Sequence, residues 1–179
     1  MEADESLIQA INEEVHLVAH DPLWAVEFAA ERERLLSLFP NRLLAVEHIG
    51  STAIPRLSAK PIIDILAAVN SMDEADALLV HLCSKGYETS VEFNATLEDR
   101  RWLMRHADGK RTHHLHLVVA NGVQWKRHLR FRDLMRSDRV LLEAYEALKL
   151  DLAERFKGDR EAYTNGKTAF IDQLLNAEA

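Results

Sequence analysis

The run PIIDILAAV, Pro61 to Val69, constrains the fold more than any other nine residues of the chain. A short apolar run of this length reads as a buried strand, and Pro61 suits its first position, where a missing N–H disturbs the ladder least. Asp64 stands inside that run, between Ile63 and Ile65. A buried carboxylate without a partner is expensive or takes up a proton, so the fold has to bring hydrogen bonds, a cation or a ligand to this point.

The remaining pattern supplies the elements around it. HDPLWAVEFAAERERLLSLF predicts a helix with Asp21 as N-cap, Pro22 at the first helical position and an apolar spacing of Leu23, Val26, Ala30 and Leu38. RLLAVEHI (42–49) predicts a strand, and a second helix opens on the capping box Ser71/Glu74 and closes at Gly86. YETSVEF (87–93), RRWLMRHA (100–107) and THHLHLVV (112–119) read as further strands, the last two joined across Asp108-Gly109, a hairpin signal. Helices are expected over 123–136, 138–156 with Ser137 as cap, and 160–176. The expectation is one α+β or α/β domain over residues 1–179, with helices on a mixed five-stranded sheet.

The chemistry-bearing residues gather around Asp64. Gly50-Ser51-Thr52 reads as a turn leading into a helix start, where backbone N–H groups and two hydroxyls receive phosphate oxygens; the plainer reading is a serine-capped turn. Asp64 on the next strand is placed to hold a divalent cation against those phosphates, or to accept structural hydrogen bonds. In RTHHLHLVV, strand alternation points His114 and His116 the same way, suited to ligate a transition metal, donate to phosphate or exchange protons near neutral pH, with Arg111 adjacent. His48 is expected in the same pocket and Glu47 turned away from it. Lys60 joins Arg111 as a phosphate contact. Arg101, Arg105, Lys149 and Lys167 form a cationic rim or pair with neighbouring carboxylates.

Charge limits the partners. The net charge is −7, yet residues 98–139 carry 11 Lys/Arg against 5 Asp/Glu, leaving −13 for the rest. This suits a small anionic ligand, an NTP among them, better than a nucleic acid. One cysteine, Cys83, excludes an internal disulfide and reads as a half-buried helix thiol, in keeping with a reducing cytoplasmic setting. MEADES lacks the basic start of a signal peptide, and no apolar run is long enough to span a bilayer.

HIGSTAIPRLSAKPIIDI (48–65), RTHHLHLVV (111–119), FRDLMRSD (131–138), the Tyr145/Lys149 pair and the Tyr163/Lys167 pair together resemble the GrpB family over roughly residues 15–176. The resemblance implies a fold similar to the nucleotidyltransferase superfamily. It implies triphosphate binding at Gly50 and Ser51, a metal-binding carboxylate at Asp64, and pocket roles for Tyr163 and the two lysines. It also implies a link to dephospho-CoA kinase, to which the family's domain is found fused as a folding accessory. The superfamily's second carboxylate, two residues on, is Leu66 here. One aspartate with His114 and His116 supplies too little negative charge for two Mg²⁺ ions and suits a single Mn²⁺ or transition-metal ion, or a metal-free anion pocket.

Overall fold

The computed structural model describes residues 2–177. The elements run α1 (Glu2–Ile11), α2 (Leu23–Leu38), β1 (Ala45–Ile49), a single 3₁₀ turn (Ser51–Ala53), β2 (Ile63–Val69), α3 (Met72–Cys83), α4 (Val91–Ala95), β3 (Arg100–Ala107), β4 (Lys110–Val119), α5 (Val123–Ser137), α6 (Arg139–Arg155) and α7 (Arg160–Ala177). Among the described residues this is a mixed α+β fold of seven α-helices and one four-stranded sheet, ordered β1-β2-β4-β3. β2 and β4 run parallel at its centre, and the edge strands pair antiparallel to them.

The central strands are apolar on both sides because helices cover both faces. Ile63, Ile65, Ala67, Val69, Leu115 and Leu117 pack with Leu35 of α2 and Leu78 and Leu82 of α3. On the other face Leu66, Val118 and Ile49 meet Trp125 and Leu129 of α5. Phe131, Met135, Tyr145 and Leu175 then knit α5, α6 and α7 to Ile54 and Leu57 of the loop after β1. Each fully buried Leu or Ile contributes about 1.5–3 kcal/mol, so these clusters fix how the C-terminal helices sit.

Several expectations need correction. The sheet has four strands rather than five: residues 87–93 make one bridge, Glu88 to Met104, and then turn into α4, whose N-cap Ser90 accepts a hydrogen bond from the Phe93 N–H. That local cap outcompetes continued strand pairing. The buried face of α2 is Trp24, Glu31 and Leu35, whereas Leu23 and Val26 of the expected apolar stripe are exposed. Glu31 sits inside because Tyr87 Oη, Arg34 and Arg105 all donate to its carboxylate, at 2.7, 2.8 and 2.7 Å. Cys83 is exposed rather than half-buried, at the last residue of α3. The N-terminal helix α1 has no counterpart in the sequence reading. It lies over the hairpin end of β3–β4, where Ser6 Oγ accepts from the Gly109 N–H at 2.9 Å.

Other local signals hold. Ser71 caps α3 through the Glu74 N–H, and Asp108 and Gly109 both take positive φ in the hairpin turn. The cap of α6, however, is Asp138 rather than Ser137: Asp138 Oδ1 accepts from the N–H groups of Val140 and Leu141, at 2.9 and 3.0 Å. The Ser137 hydroxyl instead donates back to the Leu134 carbonyl. Asp138→Ala is therefore expected to lower stability by about 1 kcal/mol in urea unfolding, with Ser137→Ala changing it by less than about 0.5 kcal/mol. Equal losses from the two would refute this assignment of the cap.

Candidate functional site

Gly50 ends β1 with φ +69° and ψ −173°, a conformation open essentially to glycine alone. A Cβ here would lie 2.4 Å from Asp64 Oδ2. The glycine thus lets the Asp64 carboxylate press against the backbone after β1. Because β2 and β4 are parallel and in register, Asp64 stands beside His114. His114 Nδ1 lies 3.2 Å and His116 Nε2 3.9 Å from Asp64 Oδ1. An ionised carboxylate only accepts, so Nδ1 of His114 carries the proton of that hydrogen bond. This leaves His114 Nε2 and His116 Nδ1 buried without a hydrogen-bond partner.

Two adjoining cavities meet at this cluster. The first, about 460 Å³, lies between the sheet and α6–α7 and is lined by Lys60, Arg111, Lys149, Arg160 and Lys167, with Trp102, Phe93 and Tyr163 as apolar wall. The second, about 680 Å³, extends toward α5 past Gly50, Arg100, Gln124, Arg127 and His128. Ser51, Asp64, Arg100, His116, Lys167 and Thr168 line both.

The first cavity collects positive charge that the protein leaves largely uncompensated. Lys60 and Lys167 have Nζ 5.3 and 4.5 Å from the Tyr163 ring centre, and among the described residues neither meets a carboxylate. Lys149, 1% exposed, donates to the Ser58 carbonyl. Arg160 reaches Glu13 through Nη2, while its Nε and Nη1 are buried without partners. Arg111 is held by the carbonyls at the end of α1, donating to Ala10 at 3.0 Å and Ile11 at 3.4 Å.

The consequence is electrostatic strain. Burial, reinforced by Lys167 and Arg160, lowers the Lys60 ammonium to about 7; burial and Lys167 lower Lys149 to about 7; burial lowers Lys167 to about 8, against Asp64. Burial pulls the Asp64 carboxyl upward, but the hydrogen bond from His114 and the His116 imidazole beside it outweigh burial and hold the group well below the ordinary range. Burial also lowers both imidazoles, keeping them neutral donors at physiological pH.

The sites expected from sequence divide along the sheet. Asp64, His114, His116, Ser51, Thr52, Lys60, Arg111, Lys149, Tyr163 and Lys167 line the first cavity, and Gly50 lines the second. His48 lies outside both: it pairs with Ile65, so it points to the α2 face, stacks on Phe28 and hydrogen-bonds Thr52 at 3.0 Å. Glu47 shares the Asp64 face instead, where Arg132 binds it at 2.7 Å, away from the cavities. The Gly-Ser turn leads into a three-residue 3₁₀ turn rather than a helix, so no helix dipole stands behind it.

Arg101 and Arg105 also face away, paired with Asp76 and Glu31. A bulge between Arg105 and His106 shifts the β3–β4 register by one residue, which puts Trp102 rather than Arg101 opposite His116. Arg100 and Trp102 are thereby the cavity residues of β3; Arg100, Arg160, Thr164 and Thr168 were absent from the sequence reading. Only α7 periodicity pointed to the last three: Arg160, Thr164 and Thr168 recur at helical spacing beside Tyr163 and Lys167.

Among the described residues no group of three or more His, Cys, Asp or Glu side chains is arranged to hold a metal ion. The His114 nitrogen that faces Asp64 is already hydrogen-bonded to its carboxylate.

Fold and site together define an α+β protein built around a cationic cleft with a carboxylate–imidazole cluster at its centre. The chain belongs to the GrpB family: the family described as GrpB protein matches residues 14–177. It is 34% identical to the glutamate-rich protein GrpB of Alkalihalophilus pseudofirmus, over 91% of this chain and 95% of that protein. The crystal structure of GrpB from Enterococcus faecalis superposes with a TM-score of 0.78 at 36% identity, covering 88% of this chain and 93% of that one. A protein named dephospho-CoA kinase from Mycolicibacterium paratuberculosis is 30% identical over 83% of this chain, a match spanning 42% of its own length.

Gly50→Ala is expected to destabilise by more than about 2 kcal/mol, from backbone strain plus the clash with Asp64. Adding Asp64→Gly removes the clashing atoms, so the double variant should lose less than the sum of the single losses in urea unfolding; strict additivity would contradict the contact. The lysines set a pH dependence. Unfolded, they hold protons up to about 10.5; folded, Lys60 and Lys149 release them near 7. Between those values the unfolded chain binds more protons, so the cost of their burial is complete below pH 7 and fades as pH rises. Ligand-free protein should gain stability from about pH 7 to about pH 9.5, and Lys149→Met should flatten that rise. A falling profile in the wild type would rule this out.

Proposed function

We propose that this protein binds a phosphorylated small molecule in the cleft, with its phosphate groups in the first cavity. The observation that carries the reading is the set of six cationic side chains, Lys60, Arg100, Arg111, Lys149, Arg160 and Lys167, around a wall whose one carboxylate, Asp64, is hydrogen-bonded by His114 with His116 close by. Such a set is stable with an anion among it and strained without one. The likeness of HIGST…PIIDI to nucleotidyltransferases supports a nucleotide as the ligand, and the second cavity across Asp64 has room for an acceptor, the arrangement a nucleotidyl transfer needs. A divalent cation enters with the nucleotide's phosphates, which supply the ligands that the protein lacks, and Asp64 is the carboxylate that would face it.

One observation favours a second reading, a non-catalytic nucleotide- or metabolite-binding module that assists a partner such as dephospho-CoA kinase. At the position of a second metal carboxylate stands Leu66, fully buried against Val118 and α5, where no charge can be accommodated without rebuilding the core. The match to part of a protein named dephospho-CoA kinase agrees with this reading.

The test is a thermal-shift series on wild type and Asp64→Ala with ATP, GTP, CTP, UTP and pyrophosphate, each with Mg²⁺, Mn²⁺, Zn²⁺ or no metal. A phosphate ligand at about a hundredfold above its Kd should raise Tm by about 5–10 °C. A nucleotide shift that requires both metal and Asp64, followed by product formation, supports transfer. A shift indifferent to metal and to Asp64→Ala, without turnover, supports the binding module. No shift with any of these anions would overturn both.

A further inference from the structure

Among the cations of the first cavity, Lys60 is placed differently. Its backbone is rigid: Ala59 pairs with Val18 in both directions, at 2.9 and 3.0 Å, the Ile62 N–H donates to the Lys60 carbonyl at 2.7 Å, and Pro61 restricts Lys60 itself. Its amine rests on the Tyr163 ring with no hydrogen-bond acceptor or carboxylate within reach among the described residues. Lys167, Arg160 and Arg111 surround it. Lys149, by contrast, is tied to the Ser58 carbonyl, and Lys167 stacks closest on the ring.

An amine held half-buried beside other cations sheds its proton and becomes a nucleophile, while the same neighbours gather an anionic substrate around it. We infer that Lys60 is an imine-forming amine and that the first cavity takes a phosphorylated aldehyde or ketone, its phosphate on Arg111, Arg160 and Lys167 and its carbonyl carbon at Lys60 Nζ. This inference rests on the proposed phosphate site and selects, within the ligands that site admits, those carrying a carbonyl. The step is redox-neutral. The Nζ lone pair forms the C–N bond, the carbonyl π pair moves to oxygen, and that oxygen leaves as water with the two hydrogens of the neutral amine, giving C=N. Lys60 is lowered to about 7, so about half its amines are neutral at that pH, against less than about one in a thousand for an ordinary lysine.

The probe is pyridoxal 5′-phosphate, an aldehyde with a phosphate, incubated with the wild-type protein at neutral pH, reduced with borohydride and mapped by mass spectrometry. Lys60 should be modified about 100-fold faster than surface lysines, with pyridoxal, which lacks the phosphate, much slower, and Lys60→Arg should abolish the fast adduct. A pyrophosphate thermal shift on the same wild-type protein separates the two ideas. A shift with no fast adduct, or with the adduct on Lys149, Lys167 or scattered lysines, overturns the imine and leaves the phosphate site standing. Neither shift nor adduct overturns both. Mapping uses the wild type, so the result holds even if Lys60→Arg fails to fold.

Discussion

The close approach of the Asp64 carboxylate to Gly50 is the contact on which the rest of the structure turns. It fixes where β1 may end, because only a residue without Cβ can pass the carboxylate. It sets the height of β2 against β1, and through the parallel β2–β4 register it decides that His114 and His116, rather than their neighbours, meet the charge. The helices α5 to α7 then dock on the same face and close the cavity from above. The half-buried aspartate is tolerated because two imidazoles and a ring of cations make the ionised form favourable there.

Much of this was legible because it is local. The Ser71 cap, the Asp108-Gly109 turn and the alternation that joins His114 to His116 are set by residues within a few positions of one another, and each appears in the fold as read. So was the family, through HIGSTAIPRLSAKPIIDI, and with it the residues Lys149, Tyr163 and Lys167 that line the first cavity. What failed was decided at a distance. No local pattern announces the bulge that exchanges Arg101 for Trp102, since its effect depends on the pairing of two strands. The face taken by His48 follows from its partner Ile65 on the next strand, and the burial of Glu31 from two donors distant in sequence, Tyr87 and Arg105 of β3. Segment 87–93 has strand composition, yet a serine cap made it a helical turn.

The cleft also shows how the fold divides its charges. On the α2–α3 face every arginine that projects from β3 finds a carboxylate, Asp76 or Glu31. On the opposite face the lysines find aromatic rings and carbonyls instead. A protein that pairs the β3 arginines on one side of a sheet and leaves the cavity lysines without carboxylates on the other concentrates its binding energy where the openings are. Arg111 belongs to this second group, and the carbonyls that aim it come from α1, ahead of the segment that defines the family.

The parallel pairing of β2 with β4 carries a consequence for how the chain acquires its site. Asp64 and His114 are fifty residues apart in sequence. During synthesis the aspartate emerges long before either imidazole, and β2 has only β1 to pair with until α3, α4 and the β3–β4 hairpin have followed. The hairpin closes locally and fast, whereas seating it beside β2 requires the long crossover to be complete. The cluster therefore cannot assemble until β4 has emerged, and the last three helices, which roof the cavity, emerge later still. A nascent chain stopped before β4 has an apolar strand with an exposed edge and an unneutralised charge at its centre, the species most in need of a chaperone.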